Sequence, residues 1–296
     1  MRPRFLTGVM LVATALPMAA TGSSLPGAPN CPVFPADNPW NQDVSSLPVA
    51  ADSETLIAAI GVDQKLHPDF SNHGGYGIPF NVVRSTQTKV RVRFQYAGES
   101  DRGPYPIPAR PRIEGGSDRH ILIVDKDRCR LYELFAARKV TGRWTAGSGA
   151  IFNLRSNALR PRGWTSADAA GLPIFPGLAR AAEVRAGRID HALRFTTSRT
   201  RRSFIFPARH QAGSSDDPNL PPMGLRVRLK ASVSLIGFGP QSRVVLKALK
   251  RYGMILADNG SPWYITGAPS SSWNDDDLHA LGRITGSDFE VVQTGS

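Results

Sequence analysis

The chain has 296 residues, 41% of them apolar, which is enough for a sizeable core and excludes a disordered or fibrous polymer. Thirty-six Lys and Arg stand against 24 Asp and Glu, a formal net charge of +12, so an acidic partner is expected. With only two cysteines, a Cys-type zinc cluster is excluded.

Residues 1–22 open with Arg2 and Arg4, continue through an apolar stretch broken by Thr14 and Pro17, and end in small residues. They read as a secretory signal peptide, and no later segment is long and apolar enough to anchor in a membrane. Its removal would take two arginines and no acids from +12, leaving +10. A secreted or periplasmic location follows, and with it an oxidising one, so Cys31 and Cys129 are expected to form a disulfide. Residues 23–52 are rich in Pro and read as an irregular strap that Cys31 ties to the body. Residues 53–296 then form a single globular, mainly-β catalytic domain.

Residues 53–61 carry a capping Ser53, apolar spacing and a terminal Gly61, the pattern of a short helix. Residues 89–96 alternate strictly, with Val90, Val92, Phe94 and Tyr96 facing inward and Arg91 and Arg93 outward. Residues 223–230 repeat the design, with Leu225, Val227 and Leu229 inward and Arg226, Arg228 and Lys230 outward. Further strands are expected over 120–125, 130–136, 192–197 and 203–206. Residues 240–252 place Val244, Val245, Ala248, Leu249 and Tyr252 at helical spacing before Gly253. A strand over 254–258, a turn at Asn259-Gly260, a strand over 263–266 pairing back, an Asn274-capped helix over 275–281 and a strand over 289–292 complete the chain. Half-buried strands of this kind predict an antiparallel β-sandwich or jelly-roll-like core with a few short peripheral helices.

Three stretches set a histidine beside charge on an expected strand: Asp118 with His120, Asp190-His191 with Arg194, and His210. Alternation puts Asp118 and His120 on one face, and separates His191 from Asp190 and Arg194. At least two of His120, His191 and His210 are expected to share a cleft with an acid. Neither metal-ligand spacing nor a cofactor motif accompanies them, so no metal and no cofactor are expected. Acids also stand in turn settings: Glu99 and Asp101 before a Gly-Pro-Tyr-Pro turn, Asp168 after Trp164, and Asp258 before Trp263-Tyr264. Glycoside cleavage commonly needs two carboxyl groups and aromatic surfaces for the sugar. Glu99, Asp101, Asp118, His120, Asp190, His191, His210 and Asp258 are therefore candidate catalytic residues. Arg194, Trp164, Asp168, Trp263 and Tyr264 are candidates for substrate binding.

Arginine outnumbers lysine 29 to 7, and a guanidinium fork matches carboxylate, sulfate or phosphate oxygens. The expected partner is a polysaccharide, an acidic one on this reading, and not nucleic acid, since no helix-turn-helix, RNP or zinc-finger pattern is present. The runs 163–178, 190–196 and 252–264 resemble those of a family of secreted bacterial proteins without an established activity. The resemblance implies one compact secreted domain. A glycoside hydrolase is the leading expectation. A polysaccharide lyase using His and Arg on an acidic glycan, and a non-catalytic glycan- or wall-binding module, are the alternatives.

Overall fold

The structure is a computed structural model describing residues 24–294 apart from Pro26 and Gly74; the expected signal peptide lies outside the described residues. In chain order the elements are β1 (Ser24–Leu25), β2 (Ala28–Pro32), α1 (Ser53–Ile60), β3 (His67–Asp69), β4 (Phe80–Val83), β5 (Val92–Phe94), β6 (Ile121–Asp125), β7 (Arg130–Phe135), β8 (Arg138–Val140), β9 (Arg143–Ala146) and β10 (Ser148–Asn153). The second half adds α2 (Ala181–Arg185), β11 (Leu193–Thr197), β12 (Arg226–Leu229), α3 (Pro240–Arg251), β13 (Met254–Asn259), β14 (Tyr264–Thr266), α4 (Asp275–His279) and β15 (Phe289–Val291).

The strands build a six-stranded sheet ordered β15-β12-β13-β11-β14-β3, a four-stranded sheet β10-β7-β6-β4, a three-stranded sheet β5-β9-β8 and a small β1-β2 ribbon. The chain is mainly β with few short helices, as expected, but the sheets are mixed. The pairs β11–β13, β14–β3, β4–β6 and β5–β9 run parallel. An all-antiparallel sandwich or jelly roll therefore does not describe the pairing. Residues 263–266 do not pair back on β13 either, because β11 lies between β13 and β14.

The four-stranded sheet is the middle layer. Leu122, Val124 and Leu131 join the larger core beside Leu193, Phe195 and Leu256, whereas Ile121, Ile123, Tyr132 and Leu134 join a smaller core with Val92, Tyr105 and Ala146 of the three-stranded side. Burial on both faces explains why β6 is an unbroken apolar run instead of an alternating one. Helix α3 buries Val244, Val245, Ala248 and Leu249, the face its spacing predicts. Residues 203–206 form only an isolated bridge from Phe204 to Met223. Residues 89–96 form a strand only over Val92–Phe94.

Cys31 and Cys129 form a disulfide with Cα atoms 5.2 Å apart. Other contacts hold the strap as well. Arg226 and Arg228, expected on a wet face, instead donate to strap carbonyls: Arg226 to Pro39 O and Gln42 O, and Arg228 to Val44 O and Leu47 O. Arg226 is buried, and its remaining donors reach Tyr252 O. A guanidinium can enter a core when backbone carbonyls take its protons, and alternation does not show those acceptors.

Candidate active site

A cleft of about 480 Å³ opens where the ends of β5, β7, β10 and β13 meet the loop of residues 163–171. Tyr96 and Glu99 follow β5, Phe135 ends β7, Ser148 begins β10, and Asp258 and Asn259 end β13; all line the cleft with Asp118, Asp168 and His210.

The placement of Asp258 depends on a β-bulge. Along β11 and β13 the parallel register runs Arg194↔Ile255 and Phe195↔Leu256, then skips Ala257 to Thr196↔Asp258. Strict alternation from Ile255 would put Asp258 on the face opposite Arg194, and the extra residue turns it onto the same face. The freed Ala257 carbonyl accepts from Ala170 N at 2.9 Å, which ties the bulge to the loop carrying Asp168. Asp258 Oδ2 lies 3.8 Å from Arg194 Nη2, with its side chain 28% exposed to the cleft.

Asp168 is buried beneath it. Arg194 grips it with two hydrogen bonds, Nε to Oδ2 at 2.9 Å and Nη2 to Oδ1 at 2.7 Å, and donates its third to Thr266 Oγ1 at 2.6 Å. The loop that presents Asp168 is built locally. Ser166 Oγ accepts from Asp168 N and donates to Leu172 O, and Gly171 N bonds back to Asp168 O. Gly171 has φ +69°, and a Cβ there would fall 2.5 Å from Trp164 O, so only glycine closes this turn. Burial, followed by the charge of Asp168, pushes the Asp258 carboxyl up to about 8. Asp258 is thus an acid that keeps its proton at neutral pH beside an arginine-bound carboxylate.

On the His210 side, His210 Nδ1 donates to Ala169 O at 2.8 Å, the tautomer this carbonyl requires. Its Nε2 then faces Glu99 Oε2 at 3.8 Å, beyond hydrogen-bond distance. Thr165 N donates to the same Glu99 oxygen.

Behind the cleft, His120 is buried. Its Nδ1 is 2.5 Å from Glu114 Oε2 and its Nε2 3.0 Å from Ala167 O, so both ring nitrogens act as donors. Burial alone would lower the His120 pKa, but Glu114 outweighs it and raises it. The same contact holds Glu114 below the usual carboxylate range despite burial. Deeper still, burial pushes Glu133 up to about 7 although Ile174 N and Phe175 N donate to it.

Of the expected site residues, Glu99, Asp118, Asp168, His210 and Asp258 meet in this cleft. The others do not. Asp101 accepts from Arg160 and from Ile151 N, a structural role. His120 stays behind the wall because Arg119, at φ +46°, breaks the alternation before β6 begins at Ile121. Asp190 and His191 precede β11, so face assignment by alternation fails there. Asp190 pairs with Arg188, and His191 is buried against Ala192 O and Arg180. The expectation that at least two of His120, His191 and His210 line one cleft is therefore corrected: of the three, His210 alone lines it. Arg194 is buried, does not line the cleft, and holds Asp168 and Thr266 with three of its five N–H groups. Trp263 is buried between Phe195 and Phe289, and Trp164 sits against Arg160 outside the cleft lining. Tyr264 stacks on His67 at 4.1 Å in a separate hollow.

Tyr96, expected to face inward, is exposed at the cleft because the strand ends before it. Thr165, Ser148 and Ser166 also line the cleft, and nothing in their local sequence marks them. Among the described residues no group of three His, Cys, Asp or Glu side chains is arranged to hold a metal ion, and no helix is long and apolar enough to cross a membrane. Comparison with protein-family models, curated proteins and solved structures found no match.

Proposed function

We propose that the chain is a carbohydrate-active enzyme that hydrolyses glycosidic bonds of an extracellular polysaccharide. The observation that carries this reading is the placement of Asp258, a partly exposed carboxyl group beside the buried, arginine-bound Asp168, in a cleft also lined by Glu99 and Asp118; burial and Asp168 raise its pKa. Glycoside hydrolysis needs such an acid together with a second carboxylate. Asp258 gives its proton to the departing glycosidic oxygen. Glu99, beside His210, takes a proton from the attacking water or attacks the sugar itself. Asp168 keeps the proton on Asp258 and is in turn held by Arg194. Tyr96 offers a partly exposed ring at the rim.

The lyase alternative is less well supported by its named residues, because His191 and Arg194 are both buried and neither lines the cleft. The disulfide supports an oxidising, secreted or periplasmic location. The test is a panel of neutral and acidic polysaccharides followed by reducing-end release and by near-ultraviolet absorbance. New reducing ends without absorbance are expected. Reducing ends accompanied by absorbance indicate an eliminating lyase, and binding with neither signal a non-catalytic module; either overturns the proposal.

A further inference from the structure

The three-stranded sheet β5-β9-β8 has one face against the smaller core and the other in solvent. Val92, Trp144 and Ala146 point inward. In the observed register Arg93↔Thr145↔Arg138 form one row of the outer face, and alternation adds Arg91, Arg143 and Val140. Arg91, Arg93, Arg138 and Arg143 are all exposed. None of the four guanidiniums has a hydrogen bond or ion pair among the described residues, whereas Arg226 and Arg228 of the matching sequence pattern are committed to the strap. No acidic residue shares this face.

The strands also lead to the cleft. β5 runs into Tyr96 and Glu99, β9 into Ser148, and β8 starts three residues after Phe135. Tyr96 N donates to Gly147 O, and Gly147 N to Phe135 O, which join the three strand ends at the cleft edge. The row Arg93–Thr145–Arg138 is the one nearer that edge. Neighbouring strands are about 4.8 Å apart and residues i and i+2 about 6.7 Å, so the four guanidiniums form a compact cationic plate beside the cleft.

We propose that this plate binds a polysaccharide carrying carboxylate or sulfate groups and feeds it into the cleft. The inference names the substrate class of the hydrolase proposed above and rests on that reading. Guanidinium forks pair with carboxylate and sulfate oxygens through parallel hydrogen bonds. A sheet that binds single-stranded nucleic acid places aromatic rings on its outer face for the bases, and this face carries none.

The test uses the full chain and its Asp258→Asn variant, so that binding is measured apart from turnover. Polygalacturonate, dextran and oligothymidylate serve as probes at low salt, with Arg91→Gln/Arg93→Gln/Arg138→Gln/Arg143→Gln as the test protein. Arg243→Gln/Lys247→Gln, on the exposed side of α3, is the charge control. Arg93→Gln/Arg138→Gln alone serves if the fourfold variant unfolds. Polygalacturonate should bind best, more weakly as salt rises, and the fourfold variant should lose roughly tenfold or more in affinity while the control does not. Equal affinity of the fourfold variant, or equal loss in the control, overturns the proposal; so does tighter binding of dextran or oligothymidylate. Arginine-dependent binding without any cleavage keeps this inference and rejects the hydrolase reading, whereas cleavage of neutral glycan unaffected by the fourfold variant does the reverse.

Discussion

Asp258→Asn separates the proton of this side chain from its shape, because Asn has the outline of a protonated Asp and still offers a donor to Asp168. Burial and Asp168 raise the Asp258 carboxyl from 3.8 to about 8, so the folded chain holds a proton that the unfolded chain has lost in between. The stability this contributes is complete below the unfolded value and is lost as pH rises through about 8. At about 1.4 kcal/mol per pH unit, the ceiling is about 6 kcal/mol. The side chain is 28% exposed, and solvent screening brings the expected loss to about 2–3 kcal/mol. Urea unfolding near pH 5 and near pH 9 reads this directly, as a fall in midpoint of about 1 M for the parent beyond that of the variant. Activity of the variant should drop by about 10²–10⁴-fold. An equal alkaline loss in both proteins would show that Asp258 holds no such proton, and full activity in the variant would remove it from the mechanism.

Arg194→Met leaves Asp168 buried without its partner and should cost about 3–5 kcal/mol in urea unfolding; adding Asp168→Asn should recover part of that, and a purely additive double variant would deny the coupling. His120→Gln should be destabilised most near neutral pH. The raised His120 contributes stability below its unfolded value that is lost as pH rises through the folded one, and the lowered Glu114 contributes above its unfolded value and loses that as pH falls. A gap between variant and parent that stays constant across pH contradicts the ion pair. Reduction of Cys31–Cys129, which closes a 98-residue separation, should lower stability by about 4–5 kcal/mol in a thermal scan, and an unchanged midpoint refutes this.

Much of this was legible in the sequence where a signal is local. Residues 240–251 form the helix their apolar spacing describes, and Asn274 caps α4 by accepting from Asp277 N. Glu99, Asp118 and Asp168 stand in turns rich in Gly and Ser, where side chains leave the ladder and can converge, whereas Asp258 stays in the β11–β13 ladder and reaches the cleft through its bulge. Alternation misled wherever the strand was shorter than its pattern. Asp118, His120, Asp190 and His191 all lie just outside a ladder, so their faces follow from turn geometry. Arg226 and Arg228 read as wet because their carbonyl partners lie 181–187 residues away. The insertion of β11 between β13 and β14 is equally non-local, since a turn signal at Asn259-Gly260 says that the chain reverses but not which strand receives it.

The bulge at Ala257 makes the site depend on a count as well as on an identity. Side chains on a strand obey parity, so inserting one residue between Leu256 and Asp258, with the bulge still absorbing only one, would leave the composition almost unchanged and yet turn Asp258 away from Arg194 and toward the layer occupied by Phe195. A carboxyl group would then enter hydrocarbon and the cleft would lose its acid, from a change that touches no functional group. Point substitutions at Ala257 keep the parity and are restricted only by its burial. Among chains that share this site, an added residue between Met254 and Asp258 should therefore be tolerated less than a change of the residue at 257, and such an insertion would mark a chain with a different chemistry on the same scaffold.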